Sequence, residues 1–455
     1  MAEGSVLRRD LLKIGGGFIV GLAAGYGLAS LTAPRQVEVV KPSGASETIT
    51  TATSRTQAAP AKKQKMKIAV VAFQTGAASV FGVPAVNMAK MLVEKINASG
   101  GINGAQVELV VKDEAGGADQ MVSLYRQLVQ QEGVDAYVGL ISSADCLAVA
   151  PVAEELGSTL TVFFDCATKR LVDDRMMKKV TFRTASTTFM DNLAVVRYLL
   201  STKPDFKRVV GINQDYAYGR DNWQDFTTLL KKLKPDVEIA GELWTPLYTT
   251  DYSAQISKIL DLKPDVVYTS FWGPDLANFV QQAYTRGVFK NSVGVFTRGE
   301  SMLQDLKDYM PEGQIVQGPH YFEYPDPAIN TLNREVVEEY KRRYGSYPNY
   351  PAYHMANAIL GVKYAIETAS AVYGVDWPDL SQVVKVFERI AYPAPGDYII
   401  MTPTHNAARG MVVGVTASVG GYGFKLLRPF RYFSPMETTP PPGVTSAQFV
   451  EQIKA

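Results

Sequence analysis

From Met66 onward, short apolar runs rich in β-branched residues alternate with longer amphipathic stretches. Apolar runs of about four to eight residues predict buried strands, and longer stretches with an apolar residue at every third or fourth position predict helices. In the first half of the chain the predicted strands are KIAVVAF (67–73), QVELVVK (106–112), DAYVGLI (135–141) and TLTVFFD (159–165). Helices are predicted over the intervening stretches VPAVNMAKMLVEKINASG, MVSLYRQLVQQ and LAVAPVAEELG. This alternation indicates an α/β fold with a parallel sheet.

The tripeptide Lys-Pro-Asp divides the second half of the chain. It begins at Lys203, Lys234 and Lys263, each time after a predicted helix and before an apolar run (FKRVVGI, VEIAGEL and VVYTSFW). The spacings of 31 and 29 residues match the length of one strand–helix unit, and a proline after the last helical turn stops a helix. Two successive series of such units predict two doubly wound lobes.

The first 65 residues lack this alternation. Arg8 and Arg9 stand in the string RRDLLK and precede an uncharged run, Ile14–Ala33, which is similar to a twin-arginine export signal. As a helix the run would span roughly 30 Å, the thickness of a bilayer's hydrocarbon core. We therefore predict an export signal or N-terminal membrane anchor over 1–35, with either cleavage after Ala29 or retention. A Ser/Thr-rich linker is predicted over 36–65.

Composition excludes several classes of function. With 46% hydrophobic residues the chain can build a core, and its net charge of +1 divides into nine Lys/Arg against four Asp/Glu in residues 1–65 and 37 against 41 in the remainder. Residues 66–455 therefore carry no excess of positive charge, which argues against nucleic-acid binding. Three His, two Cys and the lack of GxxxxGK[ST], HExxH and GxSxG motifs predict a protein that is not an enzyme and has neither a metal nor a cofactor.

Loops after the predicted strands carry the candidate ligand groups, because ligands of doubly wound sheets bind beyond the carboxyl ends of the strands. Ser142–Cys146 opens a predicted helix, where hydroxyl and N–H groups favour an anion, although a plain serine N-cap explains the same residues. The other strand-end loops offer Thr168, Tyr216, Tyr218, Phe271 and Trp272. Their position on equivalent edges predicts one shared cleft.

Other polar residues have simpler interpretations. Asp113 and Glu114 are predicted to form a solvated turn, and His354 to lie on a helix face. Cys146 and Cys166 follow two strands that should be neighbours, so a disulfide and two buried thiols both remain open.

Seven separated strings carry a resemblance to a known family. They are KINASGGINGAQVELVVKDEAG, VGLISSAD, DCATKRL, VTFRT, DYAYGRD, TTDYSAQISKI and KPDVVYTSFWGPD. In this order and spacing they resemble the type I periplasmic binding proteins of the leucine/isoleucine/valine-binding family, over about residues 66–435. The resemblance implies an extracytoplasmic receptor of an ATP-binding-cassette (ABC) importer, with permease subunits as partners.

The same resemblance implies two lobes joined by three crossovers that act as hinges, near VTFRTAS (180–186), VQGPHYF (316–322) and Pro393–Gly396. Closure over the ligand would then be a hinge motion. The implied division is first lobe 66–184 and 319–394, second lobe 185–318 and 395–435, and a Pro-rich tail 436–455.

The resemblance also implies ligand-binding roles. Ser143 and Thr168 match hydroxyls that bind a ligand carboxylate, assisted by the main chain of Cys166 and by the neighbouring Ser142. The aromatic rings that contact the ligand would be those of Phe81, Tyr218 and Trp272. The acidic partner of a ligand ammonium would be Glu300, but Arg298 adds a positive charge nearby.

Two ligand classes and two functions therefore remain open. The ligand is a branched-chain type amino acid or a related carboxylate without an ammonium group. The protein is a transport receptor or a sensory ligand-binding module of the same fold.

Overall fold

The computed structural model describes residues 63–454. The predicted export segment, 1–35, and all but the last three residues of the predicted linker, 36–65, lie outside the described residues. Within 63–454, no helix combines the length and the apolar character needed to cross a bilayer.

Three sheets organise the described chain. The strands are β1 Lys65–Ala72, β2 Gln106–Asp113, β3 Ala136–Gly139, β4 Leu160–Phe163, β5 Thr181–Arg183, β6 Arg208–Gln214, β7 Glu238–Thr245, β8 Val266–Thr269, β9 Val293–Phe296, β10 Ile315–Gly318, β11 Ala391–Ala394, β12 Asp397–Met401, β13 Ala407–Ala408, β14 Met411–Ala417 and β15 Leu426–Phe433. The first sheet is parallel, in the order β2-β1-β3-β4-β5. The second has the order β15-β14-β10-β9-β8-β6-β7, with β14 and β15 antiparallel, and the third is β11-β12-β13.

Helices cover both faces of the two large sheets. They are α1 Ser79–Ala98, α2 Ala118–Arg126, α3 Ser143–Leu156, α4 Arg170–Asp173, α5 Thr188–Thr202, α6 Ala217–Leu233, α7 Ser253–Leu262, α8 Gly273–Thr285, α9 Leu303–Leu306, α10 Thr331–Tyr344, α11 Tyr350–Tyr373, α12 Leu380–Phe387, α13 Pro435–Thr438 and α14 Ser446–Gln452. A π-turn, Gln127–Gln131, extends α2. This is the predicted α/β fold of two doubly wound lobes.

The predicted elements agree with the structure because each follows from a local signal. The strands predicted at 67–73, 106–112, 135–141 and 159–165 correspond to β1–β4. The apolar runs of β1, β3 and β4 are buried, whereas the edge strand β2 is mostly half-buried. Lys203, Lys234 and Lys263 are the C-cap residues of α5, α6 and α7, where the following proline prevents further helix. The helices begin earlier than predicted: α1 at Ser79 and α3 at Ser143.

The first lobe is built from two distant parts of the chain. One face of its sheet buries Val70 and Val138 against Met355 and Ile359 of α11, and the same cluster includes Ile399 of β12. The other face packs on α2 and α3. The second sheet is covered by α7 and α8 on one face and by α5 and α6 on the other.

The third crossover differs from the prediction. Pro393–Gly396 lies at the tip of the hairpin between β11 and β12, where Ala394 pairs with Asp397, so it does not connect the lobes. Residues 397–408 pack on the first lobe rather than the second, since Ile399, Met401 and Ala407 join its core. The chain crosses at Arg409 and Gly410, directly before β14.

The C-terminal segment packs against both lobes. Pro440–Pro442 forms neither helix nor strand, as predicted, but α14 follows it. The Ser446 N–H donates to Asp173 of the first lobe at 3.0 Å, while Phe449 lies 6.0 Å from Phe189 of the second lobe, centroid to centroid. This segment is therefore in contact with both lobes.

Candidate functional site

A cavity lies between the lobes at the carboxyl ends of their strands. Its lining combines aromatic, hydroxyl and charged side chains: Phe81, Ile141, Ser143, Asp165, Ala167, Tyr216, Tyr218, Trp272, Arg298 and Tyr350. The cavity is small, about 20 Å³, because rings of the two lobes are in contact. A cavity of this volume has room for about one water molecule.

The first lobe contributes two loops whose backbones are unusual. Leu140, after β3, and Cys166, after β4, have φ of 78° and 50°, in the left-handed region that costs energy for residues other than glycine. The second loop places Asp165 in the cavity, and Ser143 Oγ accepts the Thr168 N–H at 3.3 Å. Such outliers concentrate where a loop must hold side chains for binding.

Glu114 supports the first of these loops. The prediction of a solvated turn is wrong for this residue, since it is 0% exposed. Its carboxyl oxygens accept the N–H groups of Ile141, at 2.8 and 2.9 Å, and of Ser142, at 2.7 Å. Burial, together with the nearby Asp145, raises the pKa of Glu114 well above its ordinary value. The protein's own carboxyl group thus occupies strand-end donors that could otherwise bind an anion.

The first turn of α3 is joined covalently to the loop after β4. Cys146 and Cys166 form a disulfide, with their Cα atoms 6.4 Å apart. Of the two alternatives that the sequence leaves open, the disulfide is the one present in the structure. It fixes the turn that carries Ser143 relative to the loop that carries Asp165.

Aromatic rings form the walls of the cavity. Phe81 meets Trp272 of the second lobe edge to face, with centroids 5.4 Å apart, and lies 5.8 Å from Tyr350. The Trp272 indole N–H donates to the Tyr216 hydroxyl at 2.8 Å. The hydroxyl of Tyr218 is buried and has no hydrogen-bond partner among the described residues. It is therefore free to meet a polar ligand atom.

Arg298 supplies the cavity's positive charge. It follows β9 with φ of 59°, and its side chain is only 3% exposed. Its guanidinium pairs with Asp165 of the first lobe and, through Nε at 2.9 Å, with Asp191. These two carboxylates raise the pKa of Arg298 against the opposing effect of burial. Arg298 also stacks over Tyr350, at 5.3 Å from the ring centroid, so one cation links the two lobes and faces the aromatic walls.

The structure brings together four of the residues predicted for the site. Phe81, Ser143, Tyr218 and Trp272 line the cavity. Ser142 is instead the N-cap of α3, accepting the Asp145 N–H at 3.4 Å, so the plain N-cap interpretation of its side chain is the correct one. The Cys166 side chain is in the disulfide, and its carbonyl oxygen accepts from Arg183 at 2.7 Å.

Thr168 and Glu300 do not line the cavity. The Thr168 hydroxyl donates to Asp221 of the second lobe at 2.6 Å, which commits it to a contact between the lobes. Glu300 is buried beside α11 and accepts the Tyr350 N–H at 3.1 Å. Burial raises the pKa of Glu300 to about 8, so the group is mainly neutral at pH 7.

Sequence reasoning missed Asp165 and Tyr350 as site residues and named Arg298 only as a nearby charge. Asp165 and Arg298 are the first charged residues beyond their strands, a signal that could have identified both. Tyr350 starts a helix some 50 residues later, and nothing local connects it to the cleft.

Buried basic groups connect the cavity to the crossovers. Arg409, in the third crossover, donates to His354 Nε2 at 2.6 Å and to His320 Nδ1, in the second crossover, at 2.7 Å. His354 lies on a helix face, as predicted, and this face of α11 is buried, with the residue 0% exposed. Burial and the neighbouring Arg409 lower the pKa of both histidines, which keeps them neutral.

A sequence model described as "Periplasmic binding protein" matches residues 65–418. The chain belongs to the periplasmic binding protein family. Members of this family are extracytoplasmic and bind solutes rather than act as enzymes, so this chain is a solute-binding protein of an ABC transport system. Between residues 63 and 454, no group of three or more His, Cys, Asp or Glu side chains could hold a metal ion.

Known proteins similar to this periplasmic binding protein agree with the assignment. The Leu/Ile/Val-binding protein homolog 7 of Brucella melitensis is 27% identical over 330 residues, which cover 69% of this chain and 79% of that protein. The leucine-, isoleucine-, valine-, threonine- and alanine-binding protein of Pseudomonas aeruginosa is 26% identical over 280 residues, covering 61% of this chain and 71% of that protein.

Solved structures share the fold. An ABC-transporter solute-binding protein of Rhodopseudomonas palustris in complex with 3,4-dihydroxybenzoic acid superposes with a TM-score of 0.70 and 21% identity, over 82% of this chain and 98% of that one. A leucine-binding protein of Thermotoga maritima superposes with a TM-score of 0.68 and 21% identity, over 82% of this chain and 99% of that one. The two-lobe architecture is therefore that of type I periplasmic binding proteins.

Proposed function

We propose that this protein captures a small carboxylate without an ammonium group, with an aromatic or other apolar body, and delivers it to ABC permease subunits. The observation that carries the proposal is Arg298, a buried guanidinium that lines a cavity walled by aromatic rings. An N–H donor that is charged suits a carboxylate, and rings suit an apolar body.

The surroundings of Arg298 disfavour an α-amino acid. An ammonium group needs an ionised carboxylate of its own, and Glu300, the residue expected to provide it, is outside the cavity and has its pKa raised to about 8. Asp165 lines the cavity but is paired with Arg298. A ligand ammonium would thus be repelled by Arg298, and it would have to share the Asp165 carboxylate with that guanidinium.

The N-terminal segment supports export and attachment to the membrane. Arg8, Arg9 and the uncharged run Ile14–Ala33 fit a twin-arginine signal that is retained as an anchor, with the linker up to Lys65 as a tether. Mass spectrometry of the protein from a membrane fraction checks this: the full-length mass is expected, whereas a mass that starts at Ser30 would show cleavage.

Calorimetric titration of the purified protein with benzoate, benzamide and leucine tests the ligand class. Benzoate should bind and raise the melting temperature, benzamide, its neutral analogue, should bind at least about tenfold more weakly because it lacks the charge, and leucine should not compete. Tighter binding of leucine than of benzoate, or equal binding of benzamide, would overturn the proposal.

Single-residue variants test whether Arg298 causes the preference for benzoate over benzamide. Arg298→Gln should abolish the preference for benzoate over benzamide, while Arg208→Gln, a change at an exposed ion pair with Glu238, should leave it intact. The comparison of benzoate with benzamide on the unaltered protein remains decisive even if Arg298→Gln does not fold.

A further inference from the structure

Asp165 occupies the position where a ligand carboxylate would meet Arg298. It lines the cavity, is 1% exposed, and forms an ion pair with the guanidinium across the two lobes. On its other side, Asp165 Oδ1 lies 3.2 Å from His354 Nδ1. The carboxylate is therefore held between the second lobe's cation and the hinge core.

His354 does not add a positive charge to this arrangement. Arg409 can only donate, so the 2.6 Å contact between its Nη1 and His354 Nε2 makes Nε2 the acceptor. The ring proton then sits on Nδ1 and is donated to Asp165. Burial and Arg409 lower the pKa of His354, so the ring stays a neutral donor that orients the Asp165 carboxylate without balancing its charge.

Two carboxylates pair directly with the Arg298 guanidinium, although Arg183 and Arg409 also lie near enough to act on the charge of Asp165. Asp191 is one of the two, but it faces away from the cavity, where it accepts from Ser186 Oγ at 2.7 Å and from Gln317 Nε2 at 3.1 Å. Of the two carboxylates, only Asp165 shares the cavity with a ligand. A ligand carboxylate would be the third anion at one guanidinium, and Asp165 would be its nearest repulsive partner.

We propose, resting on the function proposed above, that Asp165 sets the affinity of this site: it is a built-in competitor for Arg298 that weakens the capture of carboxylates. When the cleft is empty, the Asp165–Arg298 pair satisfies the buried cation and joins the lobes. A carboxylate ligand must share or displace this pair, so it binds less tightly than the aromatic walls and guanidinium alone would allow. Because the complex is weaker, the ligand dissociates from the protein more readily.

Asp165→Asn tests the competition, since asparagine keeps an acceptor for Arg298 and His354 and removes the charge. Titration calorimetry should show benzoate binding at least about tenfold tighter to this variant than to the unaltered protein, with the affinity for neutral benzamide unchanged. Asp165→Ser, which is also neutral, provides the same comparison if Asp165→Asn folds poorly, as judged by its melting curve.

Asp225→Asn is the matched control. Asp225 is buried and pairs with Lys169 across the lobes at 2.5 Å, but it is not part of the cavity lining. Loss of this pair should not tighten benzoate binding. If it did so as much as Asp165→Asn, looser lobes rather than competition would explain the gain, and the proposal would be overturned.

The remaining outcomes separate this inference from the proposed function. Benzoate binding that is unchanged or weaker in Asp165→Asn overturns the competitor role while the proposed function stands. If the unaltered protein binds no acid but binds leucine, and Asp165→Asn loses leucine, then Asp165 is the ammonium partner and both proposals fail.

Discussion

Glu300 and Asp165 are both buried carboxyl groups at the edge of the cleft, but they differ in what compensates their charge. Asp165 is paired with Arg298. Glu300 accepts the N–H group of Tyr350 and has no cation acting on it among the described residues. At the scale of single residues, this difference separates a group that acts as an anion from one that is kept neutral by its surroundings.

Glu300 should make the stability of the protein depend on pH. Its pKa is about 8 in the folded protein and near the ordinary 4.5 when unfolded, so between these values the folded state holds a proton that the unfolded state has lost. Stability therefore falls as the pH rises from about 4.5 to 8. Glu300→Gln should remove this decline and melt several degrees higher than the unaltered protein at pH 8.

Melting curves of the two proteins from pH 5 to 8.5 provide the measurement. At pH 5 the two should nearly coincide, because the carboxyl group is then protonated in the fold. Glu323→Gln serves as a control for a glutamate that is paired with a cation, Arg428, at 2.7 Å. A constant difference between Glu300→Gln and the unaltered protein at every pH would contradict the prediction.

Residues of the site were predictable from the sequence where a strand end positions them directly. Ser143, Tyr218 and Trp272 were found in this way, because the loop after a strand must lie at the edge of its sheet. The partners of Thr168 and Arg298 were not predictable. Their carboxylates, Asp221 and Asp165, belong to the opposite lobe in each case, and no local pattern encodes how two lobes meet.

At the scale of elements, the disulfide joins the first turn of α3 to the loop after β4. It closes a loop of 20 residues, which by the chain-entropy model stabilises the fold by about 3 kcal/mol. Guanidinium unfolding with and without a reducing agent should show a loss of this order. The double variant Cys146→Ala/Cys166→Ala should be insensitive to the reducing agent, and two free thiols in the denatured, unreduced protein would contradict the pairing.

Element boundaries were predictable where the chain carries its own stop signal. The Lys-Pro-Asp tripeptides end α5, α6 and α7 because proline cannot continue a helix. The third crossover was misplaced, since Pro393–Gly396 has the composition of a linker yet forms a hairpin turn. The crossover at Arg409 and Gly410 is only two residues long, and no stop signal comparable to Lys-Pro-Asp marks it in the sequence.

At the scale of the whole molecule, Asp221 joins the lobes outside the cavity, as Asp225 does through Lys169. Asp221 of α6 accepts the Thr168 hydroxyl at 2.6 Å and the Arg170 guanidinium at 2.8 and 3.0 Å, both from the first lobe. The lobes can separate only if these bonds break. Their loss should shift the equilibrium toward an open arrangement, and the apparent affinity should fall with the fraction of closed molecules.

Asp221→Asn is therefore expected to increase the radius of gyration of the unliganded protein in small-angle scattering and to weaken benzoate binding several-fold. Asp215→Asn is the control, because Asp215 forms an exposed pair with Arg220 of its own lobe. Identical scattering and affinity for Asp221→Asn and the unaltered protein would show that this contact does not govern closure.

The interleaving of the two lobes along the chain also determines the order in which they can fold. Val70, made early, packs on Met355 and Ile399, which the ribosome adds only after all the strands from β6 to β10. Until then α1 is the only one of the described helices on that face of the first sheet, through residues such as Val86 and Val93 of the same cluster, so the first lobe cannot complete its core in step with its synthesis. A chain that stops before Met355 leaves part of this core uncovered, because the strands made first are stabilised by residues made much later.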